Sequence, residues 1–416
     1  MAWRTPPRQY GAWETVAGNI ADGLVARGWD VTLFATGDSI TAARLHAVVP
    51  RGYEEDRSID PKVAEYLHIP EVFEHAAEFD LIHSHYDFMA LAYTRLVKTP
   101  VLTTIHGFSS PRILPVYRKH AAGYFVSISD SDRKPGLNYV ATVYNGIDLA
   151  LYPFQESGGE DLVFVGRIHP DKGVHLAIEV ARLSGRRLVI AGIIQDSTYF
   201  EEQVKPHVDG EKIRFIGAVD VAGKNELFSR AYALLHLNTI PERFGLMLAE
   251  ANAAGVPVIA MDLGSCREVI ADRVTGFLVK DAGDAARCLE LVPQIDRRAC
   301  TQRVAQCFSV DTMVGSTSAS TRPFSRPKQR KPHETGHRQT IRTQSDPHQA
   351  GDSVPGGDRS QCGGGEARWR VHHAVSIAPS YRSIDHRAGS QQRRIPVHRR
   401  SGTVPGSRAG RTVRRL

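Results

Sequence analysis

No run of eighteen consecutive apolar residues occurs in the chain, and no charged-then-apolar leader opens it, so neither a spanning helix nor a secretory signal is expected. Cysteine is scarce. The five present, Cys266, Cys288, Cys300, Cys307 and Cys362, show neither metal spacing nor an obvious pairing. A disulfide scaffold and a cysteine-held zinc module are therefore not expected, and a reducing, cytoplasmic compartment is. No Asp-x-Asp pair is placed for a metal role, so no metal cofactor is expected.

Leu, Ile, Val and Phe are also thin in one region. Only 12 of residues 316–416 are of these four types, below the ~20% at which chains fail to fold alone. That segment carries 20 Lys and Arg against 6 Asp and Glu, whereas residues 1–315 carry 32 against 39. The overall charge of +7 thus belongs to the tail, and the body is mildly acidic. An anionic-surface or nucleic-acid arm would suit such charge, but basic residues occur without aromatic interleaving or a repeat. We read residues 315–416 as a disordered or frameshifted appendage, with no specific nucleic-acid partner and no membrane association indicated.

What remains is long enough for two domains, each with its own core. Short apolar runs at 31–35, 81–83, 101–105, 124–128, 162–165, 188–191, 213–216, 234–237 and 256–260 alternate with amphipathic stretches. Val16, Ile20, Leu24 and Val25 form a helical stripe closed by Gly28, and Leu176, Ile178, Val180 and Leu183 line another. Doubly buried strands alternating with helices mean parallel sheets. Two such series part near "NGIDLALYPFQESGGE", which gives an α/β fold of two doubly wound Rossmann-like domains facing a cleft, residues 1–150 and 151–314.

Chemistry concentrates in "PERFGLMLAEANAAGVPVIA", residues 241–260. On one helix Glu242 and Glu250 would point about 80° apart. A loop, a turn at Gly245 and a helix over 246–254 stopped by Gly255 and Pro257 fit better. Glu242 then precedes the helix and Glu250 lies inside it. Between them the N–H groups of Phe244, Gly245 and Leu246 make a phosphate cradle at a helix start. Carboxylates on both sides of a phosphate suit the hydroxyls of a nucleotide-sugar, although the helix dipole alone also favours a nearby glutamate.

Some 75 residues earlier, "FVGRIHPDKGVHLAIEVA" ends a strand at Val165, turns at Gly166 and opens a helix at Gly173. Arg167 offers a fork to phosphate oxygens and Lys172 a movable point charge, so the two could replace magnesium on a diphosphate. The same residues would equally suit a solvated strand-to-helix loop.

"GRIHPDKG", "ERFGLMLAE" and "GVPVIA", preceded in order by "PPRQYGAWE", "RGWDVTLFATGDS", "DLIHSH", "TTIHGF" and "YNGID", resemble the retaining glycosyltransferases of family 4, or group 1, over about residues 5–312. That resemblance implies the GT-B fold and a metal-independent, retaining transfer of a hexose from a nucleotide-diphosphate sugar. The acceptor, whether sugar, glycan, lipid or small molecule, is unidentified. It implies that Arg167 and Lys172 hold the diphosphate, Glu250 the ribose and Glu242 the donor sugar, with Phe244, Gly245 and Leu246 presenting backbone. It further implies that Gly11 and Ala12 approach the phosphates and that His106 contacts the sugar; His83 and His85 are read as structural. No protein nucleophile is evident.

Two departures from the pattern stand out. Gly11-Ala12 replaces a glycine pair, and only "MAWRTPPRQY" precedes it where the family places a complete first strand, so the sheet is expected to lack its centre. "RVAQCFSVDTMV" resembles the lead-in to a last helix crossing back to the first domain, and the helical pattern is expected to stop at Gly315. The competing readings are a nucleotide-sugar epimerase and an inactive remnant that only binds the nucleotide-sugar.

Overall fold

The computed structural model describes residues 2–8, 11–108 and 111–324, and residues 372–377 as backbone. Among the described residues thirteen strands form two wholly parallel sheets. They are β1 Asp30–Phe34, β2 Arg44–His46, β3 Leu81–His85, β4 Val101–Ile105, β5 Tyr124–Ser127, β6 Tyr139–Thr142, β7 Asp161–Val165, β8 Leu188–Ala191, β9 Ile213–Phe215, β10 Ala231–His236, β11 Val258–Met261, β12 Gly276–Val279 and β13 His372–Ile377. The first sheet runs β2-β1-β13-β3-β4-β5-β6 and the second β12-β11-β10-β7-β8-β9.

In the second sheet alternation sorts side chains onto two cores. Leu162, Phe164, Leu188 and Ile190 pack on one face, with Val174, Ala177 and Ile178 of helix Val174–Ser184. Val163, Val189 and Ala191 pack on the other, with Leu248 and Ala249 of helix Leu246–Ala253. In the first domain Val16, Ile20 and Leu24 of helix Ala12–Ala26 are buried against Leu33 and Leu81. Each contributes roughly 2 kcal/mol by leaving water.

Two expectations are corrected. The centre of the first sheet is filled: β13, from the segment read as an appendage, pairs in parallel with β1 (Asp30↔His372 to Phe34↔Ser376) and with β3 (His373↔Leu81 to Ile377↔His85). The facing edges of β1 and β3 each present a row of N–H and C=O groups that need partners, and "HHAVSI" supplies one strand that meets both rows. The expected tail, apart from 315–324 and 372–377, lies outside the described residues.

The helical pattern also does not stop at Gly315. Helix Val310–Thr321 runs through it, capped by the Ser309 side chain, which accepts from the Thr312 N–H. Met313 and Val314 join the first domain's core, and Val314 meets helix Ala12–Ala26 at Gly23. Beyond Gly315 the small residues Thr317, Ser318 and Thr321 are buried, so the run from Ser316 that reads as polar is a close-packing face. Over the described residues the chain crosses between the domains twice, and the crossings are joined: Ile147 N–H donates to Phe308 C=O (2.7 Å) and Val310 N–H to Ile147 C=O (3.1 Å). Among the described residues no helix is long and apolar enough to cross a membrane.

Candidate active site

Parallel sheets gather ligand-binding groups beyond the C-terminal ends of their strands. A cavity of about 270 Å³ lies there, lined from one domain by Ala12, Trp13, His106, Ile128 and Asn145 and from the other by Arg167, Lys172, His236, Asn238, Glu242, Arg243 and residues Phe244 to Met247. A hollow of about 280 Å³ near Asp161, Arg187 and Arg214, at the opposite strand ends, holds none of the motif residues.

Local backbone geometry sets the motifs in place. After β7 the chain turns through Gly166 and a short 3-10 turn, Pro170–Lys172, into Gly173 at φ 67°. A Cβ on Gly173 would lie 1.9 Å from the Leu237 carbonyl oxygen, so only glycine lets this turn pack beneath β10. Gly245, at φ 82°, likewise makes the sharp entry to helix Leu246–Ala253. Leu246 and Met247, the first residues of that helix, line the cavity, and their N–H groups have no acceptor within the helix, whereas the Leu248 N–H donates to the Gly245 carbonyl.

Lys172 and Glu242, seventy residues apart, meet at 2.7 Å. The same Glu242 Oε2 accepts from Asn238 Nδ2 (2.5 Å) and lies 2.9 Å from His236 Nε2, while its Oε1 accepts from the Arg243 N–H. Burial acts to raise this carboxyl. The charge of Lys172 and the charge and hydrogen bond of His236 overcome it and hold the group well below the usual carboxylate range. Arg167 donates to Gln195 Oε1.

Glu250 sits inside the helix as expected, with Oε2 at 2.5 Å from Lys224 Nζ, which also reaches the Tyr152 hydroxyl at 3.1 Å. It does not line the cavity. Nor does Gly11, the N-cap of helix Ala12–Ala26; Ala12 does, and it has no positive φ. His106 is buried, stacked on Trp13 at 5.3 Å, with Nε2 2.9 Å from His85 Nδ1. Burial lowers its pKa to about 3, so the ring is neutral near pH 7. His85 therefore touches a candidate site residue, while His83 bonds Thr104 at 2.8 Å.

The structure brings Ala12, His106, Arg167, Lys172, Glu242, Phe244, Gly245 and Leu246 to one cavity, and leaves Gly11 and Glu250 out of its lining. Sequence reasoning missed His236, Asn238, Asn145, Gln195 and the reach of Arg243. The first two stand at and just past the end of β10, and strand-end position is the signal that could have found them. Arg243 spans the cleft, its Nη1 2.7 Å from Asp132 Oδ1 and its Nη2 donating to the Phe108 carbonyl. Asp132, half of the only Asp-x-Asp near the cleft among the described residues, is thereby engaged by Arg243 and by Lys134 at 3.6 Å. Nearby, Glu268 accepts from the N–H groups of Asp130 and Ser131, both at 2.8 Å, and from the Tyr144 hydroxyl.

Two family models match in succession, Glycosyltransferase Family 4 over residues 13–151 and Glycosyl transferases group 1 over 154–295. Similar proteins include a glycogen synthase of Mycobacterium tuberculosis, 29% identical over 58% of this chain and 67% of its own. A phosphatidyl-myo-inositol mannosyltransferase of Mycobacterium leprae is 29% identical over 50% and 62%. The chain thus spans about two thirds of these relatives. Among solved structures, sucrose-phosphate synthase of Thermosynechococcus elongatus has a TM-score of 0.62 at 19% identity, covering 77% of this chain and 95% of its own. Anabaena Alr3699/HepE in complex with UDP and glucose has 0.59 at 19%, covering 75% and 96%. At such identities these likenesses show the fold, GT-B.

Proposed function

Because the chain belongs to the family 4, or group 1, glycosyltransferases, with one family model matching each domain, we propose that it moves a hexose from a nucleoside-diphosphate sugar to an acceptor hydroxyl with retention at the anomeric carbon. The observation that carries this reading is the meeting of Lys172 and Glu242 at 2.7 Å beside the start of helix Leu246–Ala253. A cation, a carboxylate and the start of a helix thereby line one cavity. The fold neighbour HepE was solved with UDP and with UDP-glucose, which supports a donor of this chemical class.

In the proposed cycle the diphosphate draws Lys172 off Glu242 and engages Arg167 and the helix N–H groups. Glu242 stays ionised and oriented by His236 and Asn238, and accepts a sugar hydroxyl. The bond from anomeric carbon to phosphate oxygen breaks as the acceptor oxygen bonds to that carbon. The departing phosphate takes the acceptor's proton, so no protein base is assigned. Arg167, Lys172 and the N–H groups stabilise the charge that grows on the phosphate, the largest catalytic contribution of this site. In this reading they do the work a divalent ion would otherwise do, and we assign no metal to the reaction. Glu250 takes the ribose through the oxygen that Lys224 leaves available. His106, neutral, contacts the sugar, and the first-domain segment 52–60 and helix Leu114–Lys119 select the acceptor. The cytoplasm is the proposed compartment.

The test is turnover with UDP-, GDP- and ADP-sugars against an acceptor panel, with product anomers read by NMR. Lys172→Ala or Arg167→Ala is expected to lower turnover at least tenfold, equivalent to ~1.4 kcal/mol of barrier. Wild-type turnover in both variants overturns the assignment, and an inverted product overturns retention.

A further inference from the structure

On the first sheet's edge, three side chains from two elements converge outside the donor cavity's lining. His46 ends β2, Glu71 lies in the last turn of helix Pro61–Glu74, and His75 caps that helix. His46 Nε2 is 2.7 Å and His75 Nε2 3.2 Å from the same Glu71 Oε1, and one donor atom of each residue lies within 4.8 Å of the others. Phe34, fully buried, lies against both imidazoles, 4.6 Å from the His46 ring and 6.4 Å from that of His75. The remaining His75 nitrogen, Nδ1, is 2.6 Å from Glu78 Oε1.

We propose that His46, Glu71 and His75 form a binding site for a divalent transition-metal ion of the zinc type, with Glu78 orienting His75. Tetrahedral zinc with bonds of about 2.0–2.1 Å sets neighbouring donor atoms roughly 3.3 Å apart. The observed 2.7 and 3.2 Å reach that spacing by sub-ångström outward movement. Two imidazoles and a carboxylate are a donor set suited to zinc, with nickel and copper as competitors. Glu71 and His75 share a helix face at i, i+4, and the edge strand brings the third donor. A Nδ1–H to Glu78 directs the Nε2 lone pair of His75 inward, the carboxylate–histidine arrangement that fixes metal-ligating imidazoles. Side-chain exposures of 34%, 24% and 36% leave room for water as the fourth ligand. The ion would join edge strand β2 to helix Pro61–Glu74. Thiolate spacing gives no hint of the site, because its donors are nitrogen and oxygen on separate elements.

This site is independent of the glycosyl-transfer reading, and its test needs no substrate. The full chain, stripped with a chelator and dialysed, is titrated with Zn²⁺ alone by calorimetry and with Co²⁺ alone by visible absorption. Wild type is expected to bind one equivalent more than the His46→Ala/His75→Ala variant, to give the intense bands of four-coordinate cobalt, and to melt higher with zinc. Glu78→Gln keeps all three ligands and is expected to bind 10–100-fold more weakly. Should the double variant not fold, Glu71→Gln supplies the comparison. Equal stoichiometry and equal zinc-dependent melting in wild type and ligand variant, or only the faint bands of six-coordinate cobalt, would overturn the proposal.

Discussion

Glu242 shows how one side chain is held ready. Two side-chain N–H donors and an imidazole surround its carboxylate in a nearly closed site. Because its native pKa is depressed, its contribution to stability is whole above the ordinary value of 4.5 and is lost as pH falls through the native value. Glu242→Ala would leave Lys172, His236 and Asn238 without their common acceptor, and a loss of about 3 kcal/mol is expected in urea unfolding at pH 7. Glu14 has the opposite sign. Burial lifts its carboxyl to about 8, so its destabilising effect is absent below pH 4.5 and grows as pH rises toward 8. Glu14→Gln is therefore expected to add up to roughly 4 kcal/mol at pH 8 and almost nothing at pH 4, read from denaturation at both. At this scale Arg167, Lys172 and Glu242 were legible, since turn glycines flank them in contiguous motifs. His236 and Asn238 were not, because β10 reads as ordinary buried strand until the fold shows where it ends.

Elements were legible where alternation or a helical stripe ran for several residues, as in β7, β8 and helix Ala12–Ala26. In β2 and β6 polar residues interrupt the apolar run, and β12 opens on a glycine, so none of the three stood out. β13 was hidden by its surroundings: six residues of strand character lie within a hundred of polar, basic composition. A proline at its middle would remove a ladder hydrogen bond between β1 and β3. Val375→Pro is expected to abolish cooperative melting of the first domain and leave that of the second. An unchanged first transition in calorimetry would remove β13 from the sheet. Gly173→Ala tests the other domain's turn: positive φ and the Leu237 carbonyl both oppose it, and a loss of at least 2 kcal/mol with depressed turnover is expected.

At the scale of the whole molecule, two clasps bridge the cleft beside the cavity, Arg243 to Asp132 and Phe108, and Glu268 to the backbone at 130–131. Arg243 follows Glu242 directly, so whatever shifts the donor-side carboxylate also bears on the clasp. Asp132→Ala is expected to increase the radius of gyration of the free protein in small-angle scattering and to lower turnover about threefold to tenfold, as loss of gating does. Two facing doubly wound domains were legible from the strand–helix alternation and from the break near residue 155. Which side chains would meet across them was not, since cross-cleft partners share no sequence spacing.

The late position of β13 in the chain also orders the molecule's assembly. Strands β7 to β12 are all synthesised by residue 279, whereas the first sheet stays split between β1 and β3 until residue 377 leaves the ribosome. The C-terminal half of the pair can thus mature while its partner waits as two half-sheets with open, sticky margins. Chaperone dependence and aggregation during expression should then be governed by the interval between those two moments.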